Sequence, residues 1–210
     1  MLRESICKKC RRSGEKLFLK EERCFTPKCA MIKKPYAPGM RAKKHRSNPS
    51  EYGLQLAEKQ KARKTYNISE KQFKKYFVEA SKAKGRVPDI LLEKLETRLD
   101  NVIFRLGLAG SRAKARQIAS HGHIVFNGRK VTIPSINVRK NDTIEIRKSS
   151  MQKALFKDLE NKIKKQQIPA WLSVEKNDNN EFTAKVLGLP EKSEVKVSFD
   201  LAMIIEFYSR

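Results

Sequence analysis

Four cysteines in this chain have side chains suited to holding a metal. Cys7, Cys10, Cys24 and Cys29 are the only cysteines in 210 residues, and they form two close pairs, Cys7-x2-Cys10 and Cys24-x4-Cys29. Zinc takes soft thiolate ligands in a tetrahedron, and two short knuckles brought together supply that geometry. Thr26 and Pro27 sit inside the second pair, where a turn would aim both thiols inward. Lys8, Lys9, Arg11, Arg12, Arg23 and Lys28 flank the cysteines, and nearby cations favour the thiolate form. The expectation is one structural zinc ion with no open position for catalysis. Two disulfides, or free thiols without a joint role, are the other readings. A reducing compartment argues against disulfides, while the x4 spacing departs from the common zinc-ribbon knuckle.

The second chemical signal is positive charge. Lys and Arg number 47 against 23 Asp and Glu, a formal net charge of +24, which calls for a polyanionic partner. The near-neutral tail from 165 to 210 has six basic and seven acidic residues, so the excess lies upstream. No stretch approaches the ~18 uninterrupted apolar residues of a membrane span, and the N-terminus lacks a signal-peptide run. The expectation is a soluble protein of cytoplasmic type.

Several elements must position these groups. Residues 31–47 mix Pro35, Pro38 and Gly39 with cations and lack periodicity, as an extended basic arm would. Asn48-Pro49-Ser50-Glu51 reads as a helix start with Asn48 as the cap, the helix running to about Lys64 with Leu54 and Ala57 on one face. Ser69 opens a second capping box, followed by Phe73, Tyr76, Phe77 and Ala80 at helical spacing, and Gly85 ends the run. A third helix starts near Pro88-Asp89, its apolar stripe running from Leu91 through Leu99 to Leu106 before Gly107 closes it. Ser111 caps a short helix carrying Arg112, Lys114, Arg116 and Gln117, and Gly122 stops it. The period then changes to two. HIVF, Asn127-Gly128 and RKV make a hairpin with a type I′ turn signal, and TIEIR is a further strand. A basic helix from about Ser149 to Lys165 puts Leu155, Leu159 and Ile163 in register; WLSV, FTAKV and VKVSF read as short strands, and an apolar ending from Leu201 to Tyr208 packs back on the earlier helices.

Arg112 and Arg116 lie four apart and share a helical face, with Lys114 and Gln117 beside it. Asn127, Gly128, Arg129 and Lys130 project from the hairpin tip. A helix face beside a hairpin can straddle an RNA backbone, with Arg forks on phosphate oxygens. The plainer reading is a solvated charged face. Only Asp142 and Glu145 oppose nine cations across residues 101–147, which favours the nucleic-acid reading. Arg41, Lys43, Lys44 and Arg46 are further candidates in the arm, with a disordered basic tail as the alternative. Lys61, Arg63 and Lys64 are backbone-contact candidates on their helix, or simply exposed cations. His121 and His123 flank Gly122, where RNA contact or a turn hydrogen bond would suit them.

RLDNVIFRLGLAGSRAKARQIASHGHIVFNGRKV followed by NVRKNDTIEI resembles the small RNA-binding domain named after the fourth protein of the small ribosomal subunit. The cysteine stretch with ERCFTPKCAM, the run NPSEYGLQLAEKQKARKTYNISEKQF and the ending MIIEFYSR extend the likeness across the chain, to the four-cysteine branch of the bacterial ribosomal protein S-four family. The resemblance implies an α+β fold with four parts: a zinc module and basic arm (1–47), a helical domain (48–92), an inserted RNA-binding domain of two helices on a short antiparallel sheet (93–167), and a segment (168–210) that returns to complete the helical domain. It implies that Ser111 and the residues of the helix face and hairpin tip dock small-subunit ribosomal RNA. It further implies neighbouring ribosomal proteins as partners, messenger RNA near the basic arm, a part in decoding accuracy, and a place in a bacterial or organellar ribosome. A stand-alone zinc-containing RNA regulator or chaperone is the alternative. Arg98-Leu99-Asp100 echoes the catalytic aspartate motif of pseudouridine synthases, but NVIF follows it and no separate sheet domain fits in what remains. No enzyme is expected.

Overall fold

The computed structural model describes residues 5–40, 48–156, 159, 163, 167–176, 182–191, 194, 195 and 197–210. The chain divides into two compact units, Met1–Pro88 with Val197–Arg210, and Asp89–Lys196. The first is all helix among its described residues: α1 (Ile6–Ser13), a 3-10 turn (Glu21–Cys24), α2 (Ala30–Lys33), α3 (Glu51–Thr65), α4 (Glu70–Lys82) and, from the far end of the chain, the C-terminal helix (Leu201–Ser209).

Both predicted capping signals act, though one is shifted. Ser69 Oγ accepts from the Gln72 N–H at 3.3 Å, as the capping box requires. At α3 the cap is Ser50, whose Oγ accepts from the Gly53 N–H at 3.2 Å, so Asn48 lies outside the helix. The buried face of α3 is also not the one expected. Leu54 is 44% exposed, while Gln55, Lys59, Lys61 and Ala62 are buried. Polar side chains can turn inward here because partners meet them. Gln55 Nε2 donates to Glu206 at 3.0 Å, and the Lys59 ammonium sits 2.7 Å from Glu70 and 4.3 Å from the Phe207 ring centre. The apolar share of this unit comes from α4, whose Phe73, Tyr76, Phe77 and Ala80 are buried, with Tyr208 stacked on Phe77 at 4.8 Å.

In the second unit the expected long helix is broken in two, α5 (Val87–Glu96) and α6 (Leu99–Arg105). At the break Arg98 is extended (φ −65, ψ 137) and bridges Asn137, while the Leu99 N–H donates to the Ile136 carbonyl at 2.8 Å. The apolar stripe survives because both pieces face one core. After α7 (Arg112–Ser120) come β1 (Ile124–Phe126), β2 (Arg129–Val131), β3 (Thr143–Ile146), α8 (Lys148–Met151), β4 (Leu172–Lys176) and β5 (Phe182–Val186); the C-terminal helix is then α9. Asn127 (φ 50) and Gly128 (φ 76) make the left-handed pair that a type I′ turn demands.

The five strands form one antiparallel sheet in the order β2-β1-β3-β5-β4. This corrects the expected boundaries. The segment from 168 does not return whole to the helical domain: β5 pairs with β3 (Thr143 opposite Lys185, Glu145 opposite Thr183), so the β4–β5 hairpin widens the RNA-binding unit's sheet. Pairing hides β3's open edge. Only residues from Val197 onward rejoin the first unit. Of the expected basic helix, α8 and a 3-10 turn at Ala154–Phe156 are formed, and much of the remainder lies outside the described residues. The described residues of VKVSF form no strand. Leu99, Val102, Ile103, Leu106, Ala115, Ile118, Ile124, Ile144, Trp171 and Phe182 share the core that fixes α6 and α7 against the sheet.

Candidate nucleic-acid interface

In the cysteine module, Cys7 and Cys10 stand one turn apart on α1, Cys24 ends the 3-10 turn, and Cys29 precedes α2. All four are free thiols, and Cys10, Cys24 and Cys29 are buried. The Lys20 N–H donates to Cys24 Sγ at 3.3 Å. Burial pushes the Cys10 thiol above its ordinary value, and the charges of Cys24, Cys7 and Cys29 push the same way. A hydrogen bond with the Leu17 backbone works the other way but is outweighed, so Cys10 shifts opposite to the direction that flanking cations would favour. Among the described residues no group of three or more His, Cys, Asp or Glu side chains is arranged so that it could hold a metal ion. The donor chemistry suits zinc, while the coordination sphere itself is not assembled.

Arg11 anchors the start of the arm. Its Nε donates to the carbonyls of Lys34 (3.0 Å) and Tyr36 (2.8 Å), with the guanidinium 4.8 Å from the Tyr36 ring centre. Arg41, Lys43, Lys44 and Arg46 lie outside the described residues. On α3 the three expected contact residues meet partners within the protein. Lys61 bonds Glu15 (3.0 Å) and Glu58 (2.7 Å), with 9% of its side chain exposed; Lys64 Nζ reaches Ser13 Oγ at 3.3 Å, and Arg63 pairs with Glu70 at 3.4 Å. These cations hold α3 to the cysteine module through Glu15 and Ser13 and to α4 through Glu70, while Glu58 braces Lys61 from within α3. Burial works against the Lys61 ammonium, but the bonds to Glu58 and Glu15 outweigh it and hold its pKa above the ordinary value.

The helix face and hairpin tip come together in the second unit. Ser111 is the buried cap of α7, its Oγ accepting from the Lys114 N–H at 3.3 Å. Arg112 does not share a free face with Arg116. Its Nε donates to Asn101 Oδ1 at 2.7 Å, its guanidinium lies 4.6 Å from the Phe104 ring centre, and Glu96 is 3.8 Å away. Glu96 is fully buried and takes a bidentate fork from Arg105 at 2.8 and 2.9 Å. A buried carboxylate requires this much compensation, and that demand draws Arg112 inward. Lys114 and Arg116 are half-buried and Gln117 is exposed.

Beside α7 an open cleft of about 240 Å3 is lined by Lys114, Gln117, Ile118, His121, His123, Lys153 and Leu155. His123 Nδ1 meets Ser150 Oγ at 3.0 Å, which makes it a turn anchor. Burial, then Lys153, His121 and Arg147, hold its imidazolium pKa below the ordinary value. Gly122 (φ 68) packs against Lys130: a Cβ there would stand 2.5 Å from Lys130 Cε. The stem of Lys130 thus crosses the turn between the histidines, which joins the hairpin to the cleft. Arg129 and Lys130 are exposed as expected. Asn127 is exposed but occupied: its Oδ1 accepts from the Thr143 N–H at 2.8 Å and its Nδ2 donates to Asp142 at 2.9 Å. Lys153 was missed from the sequence. The basic run KSSMQK was its only signal, and nothing in it says that the chain folds back beside α7.

Arg98 and Asp100, from the triplet that echoes a catalytic motif, bind each other. They form a bidentate ion pair (3.0 and 2.8 Å) with 1% and 5% of their side chains exposed. Asp100 is therefore a structural ion-pair partner inside the core. Among the described residues no helix is long and apolar enough to cross a membrane.

A helix and a hairpin on an antiparallel sheet, rimmed by cations, are the makings of an RNA-binding domain of the S4 class. Residues 97–144 match the S4 domain, and residues 1–96 match the Ribosomal protein S4/S9 N-terminal domain. The chain is 46% identical to small ribosomal subunit protein uS4 of Natranaerobius thermophilus, with 98% of this chain and 97% of the relative covered. It is 45% identical to uS4 of Syntrophomonas wolfei (99% and 98% covered) and 45% identical to uS4 of Thermus thermophilus (98% and 97% covered). The chain belongs to the small ribosomal subunit protein uS4 family, a structural and non-enzymatic one.

Proposed function

We propose that this chain is a structural constituent of the bacterial small ribosomal subunit, in the cytoplasm, and that it binds small-subunit ribosomal RNA early and joins several RNA helices. The observation that carries this reading is the cationic rim around α7, in which Lys114, Lys153 and Lys130 gather from three elements beside His121, with Arg129 at the hairpin tip. Lysines drawn together from separate elements repel one another, and phosphate relieves that repulsion while releasing counterions. Holding RNA helices in one arrangement lowers the entropy cost of later assembly steps. Neighbouring ribosomal proteins are expected partners, and the basic arm is suited to messenger RNA at its entry path and, through it, to decoding accuracy.

The reading includes one structural zinc ion on Cys7, Cys10, Cys24 and Cys29. Three buried thiols beside a half-buried fourth, with an N–H aimed at Cys24 Sγ, support it. Zinc would deprotonate and gather the sulfurs and close the module, with no reaction passing through it.

Filter binding of the purified protein to a small-subunit ribosomal RNA transcript, across a salt series, tests the central claim. Affinity should fall by roughly three to five decades between about 50 and 200 mM salt for about 6 to 10 phosphate contacts. No binding at about 150 mM salt would end this reading.

A further inference from the structure

The loop between the two cysteine pairs brings two phenylalanines together on the surface. Phe18 and Phe25 stack with ring centres 5.1 Å apart and planes 28° apart, yet they are 47% and 75% exposed. Stacked rings of this size are ordinarily buried. The backbone is strained to place them. Phe18 has φ 49 and Glu21 φ 42, a left-handed conformation that bulky side chains avoid. Strain of this kind persists where the surroundings enforce it, and it marks functional sites. Here the 3-10 turn Glu21–Cys24 reverses the chain and delivers Phe25 onto Phe18, while the Lys20 N–H bond to Cys24 fixes the turn.

The setting indicates what the rings receive. Residues 5–40 carry ten Lys and Arg against three Glu, and Lys16, Arg23 and Lys28, two or three positions from one ring or the other in sequence, are exposed. An apolar protein partner would have to meet that charge with carboxylates. An unpaired nucleobase meets it with its own phosphates and presents a flat π-face to the outer ring. We infer that Phe18 and Phe25 form a stacking platform for an unpaired base of small-subunit ribosomal RNA, a second RNA contact separate from the rim around α7. The inference rests on the ribosomal reading above.

The test uses the full chain, with Phe25→Leu, Phe18→Leu and Phe25→Trp, on the same ribosomal RNA transcript across the same salt series. Leucine keeps the apolar bulk and removes the π-face. Phe25→Leu should weaken binding about tenfold, and Phe25→Trp should bind at least as tightly as the parent chain. The salt slope should not change, because no charge is removed. Thermal melts should match the parent, since Phe25 projects into solvent. Leucine variants that bind the transcript like the parent would overturn the platform and leave the ribosomal reading standing. A defect seen only when other small-subunit proteins are added would assign the rings to a protein partner and also overturn it. Failure of the parent chain itself to bind the transcript would remove both claims.

Discussion

Replacing Arg112 by Ala separates structural from RNA-contacting arginines. Sequence spacing pairs Arg112 with Arg116 on a phosphate-facing surface; the structure turns Arg112 toward Asn101, Phe104 and Glu96. The substitution removes a charge-assisted hydrogen bond at 2.7 Å, worth about 1.5–3 kcal/mol, and a guanidinium–ring contact worth about 0.5–1 kcal/mol. It also leaves the buried Asn101 carbonyl short of a donor. Water entering the 15%-exposed position returns part of that, so the net loss should be about 2 kcal/mol. For a unit of this size the melting temperature should fall by roughly 5–10 °C. The comparison is Lys130→Ala, whose exposed side chain should change stability by less than about 0.5 kcal/mol. In filter binding well below the melt, Lys130→Ala should flatten the log–log salt slope by about one unit, and Arg112→Ala should leave it unchanged. An Arg112→Ala protein that melts like the parent and loses a unit of slope would show that the guanidinium serves phosphate, and the inward network would be the wrong account.

Removing the Glu96 fork should cost more: Arg105→Ala leaves a fully buried carboxylate with Asn101 Nδ2 and the more distant Arg112, and should destabilise the second unit by about 3 kcal/mol, read by urea unfolding. Asn127→Ala should destabilise by about 1–2 kcal/mol, since it loses the bonds to Thr143 and Asp142 and forces Ala into φ 50; equal stability of the two proteins in thermal melts would refute the hairpin role. Burial raises the Glu70 carboxyl, but bonds from Lys59 and Tyr208 and the charges of Lys59 and Arg63 outweigh it, so the folded pKa lies below the ordinary 4.5. A depressed carboxyl contributes stability that is present above pH 4.5 and lost as pH falls through the folded value, so Glu70→Gln should narrow its deficit against the parent in acid melts below that pH. Mass measurement under native conditions should return one zinc per chain, and chelation should raise protease cleavage within residues 5–40 while the second unit melts unchanged; a metal-free parent chain would refute the zinc assignment.

The local features were legible because their causes are local. Ser69 and Ser111 cap their helices since a hydroxyl three residues from an open N–H needs nothing distant. Asn127-Gly128 turns the hairpin because those two residues tolerate positive φ. The stripe at Phe73, Tyr76, Phe77 and Ala80, and the apolar set from Leu91 to Leu106, declared their buried faces through spacing alone. Tertiary structure decided what the cations do. Lys59, Lys61, Arg105 and Arg112 look like the exposed lysines and arginines of any basic helix, and only the arrival of Glu70, Glu15 and Glu96 draws them inward. It also decided where the long helix breaks, because Arg98 bridges Asn137 across 39 positions, and where the β4–β5 hairpin goes, because an open edge on β3 was waiting. Periodicity records which side of an element is apolar. It carries no record of which distant carboxylate or strand edge will meet that element.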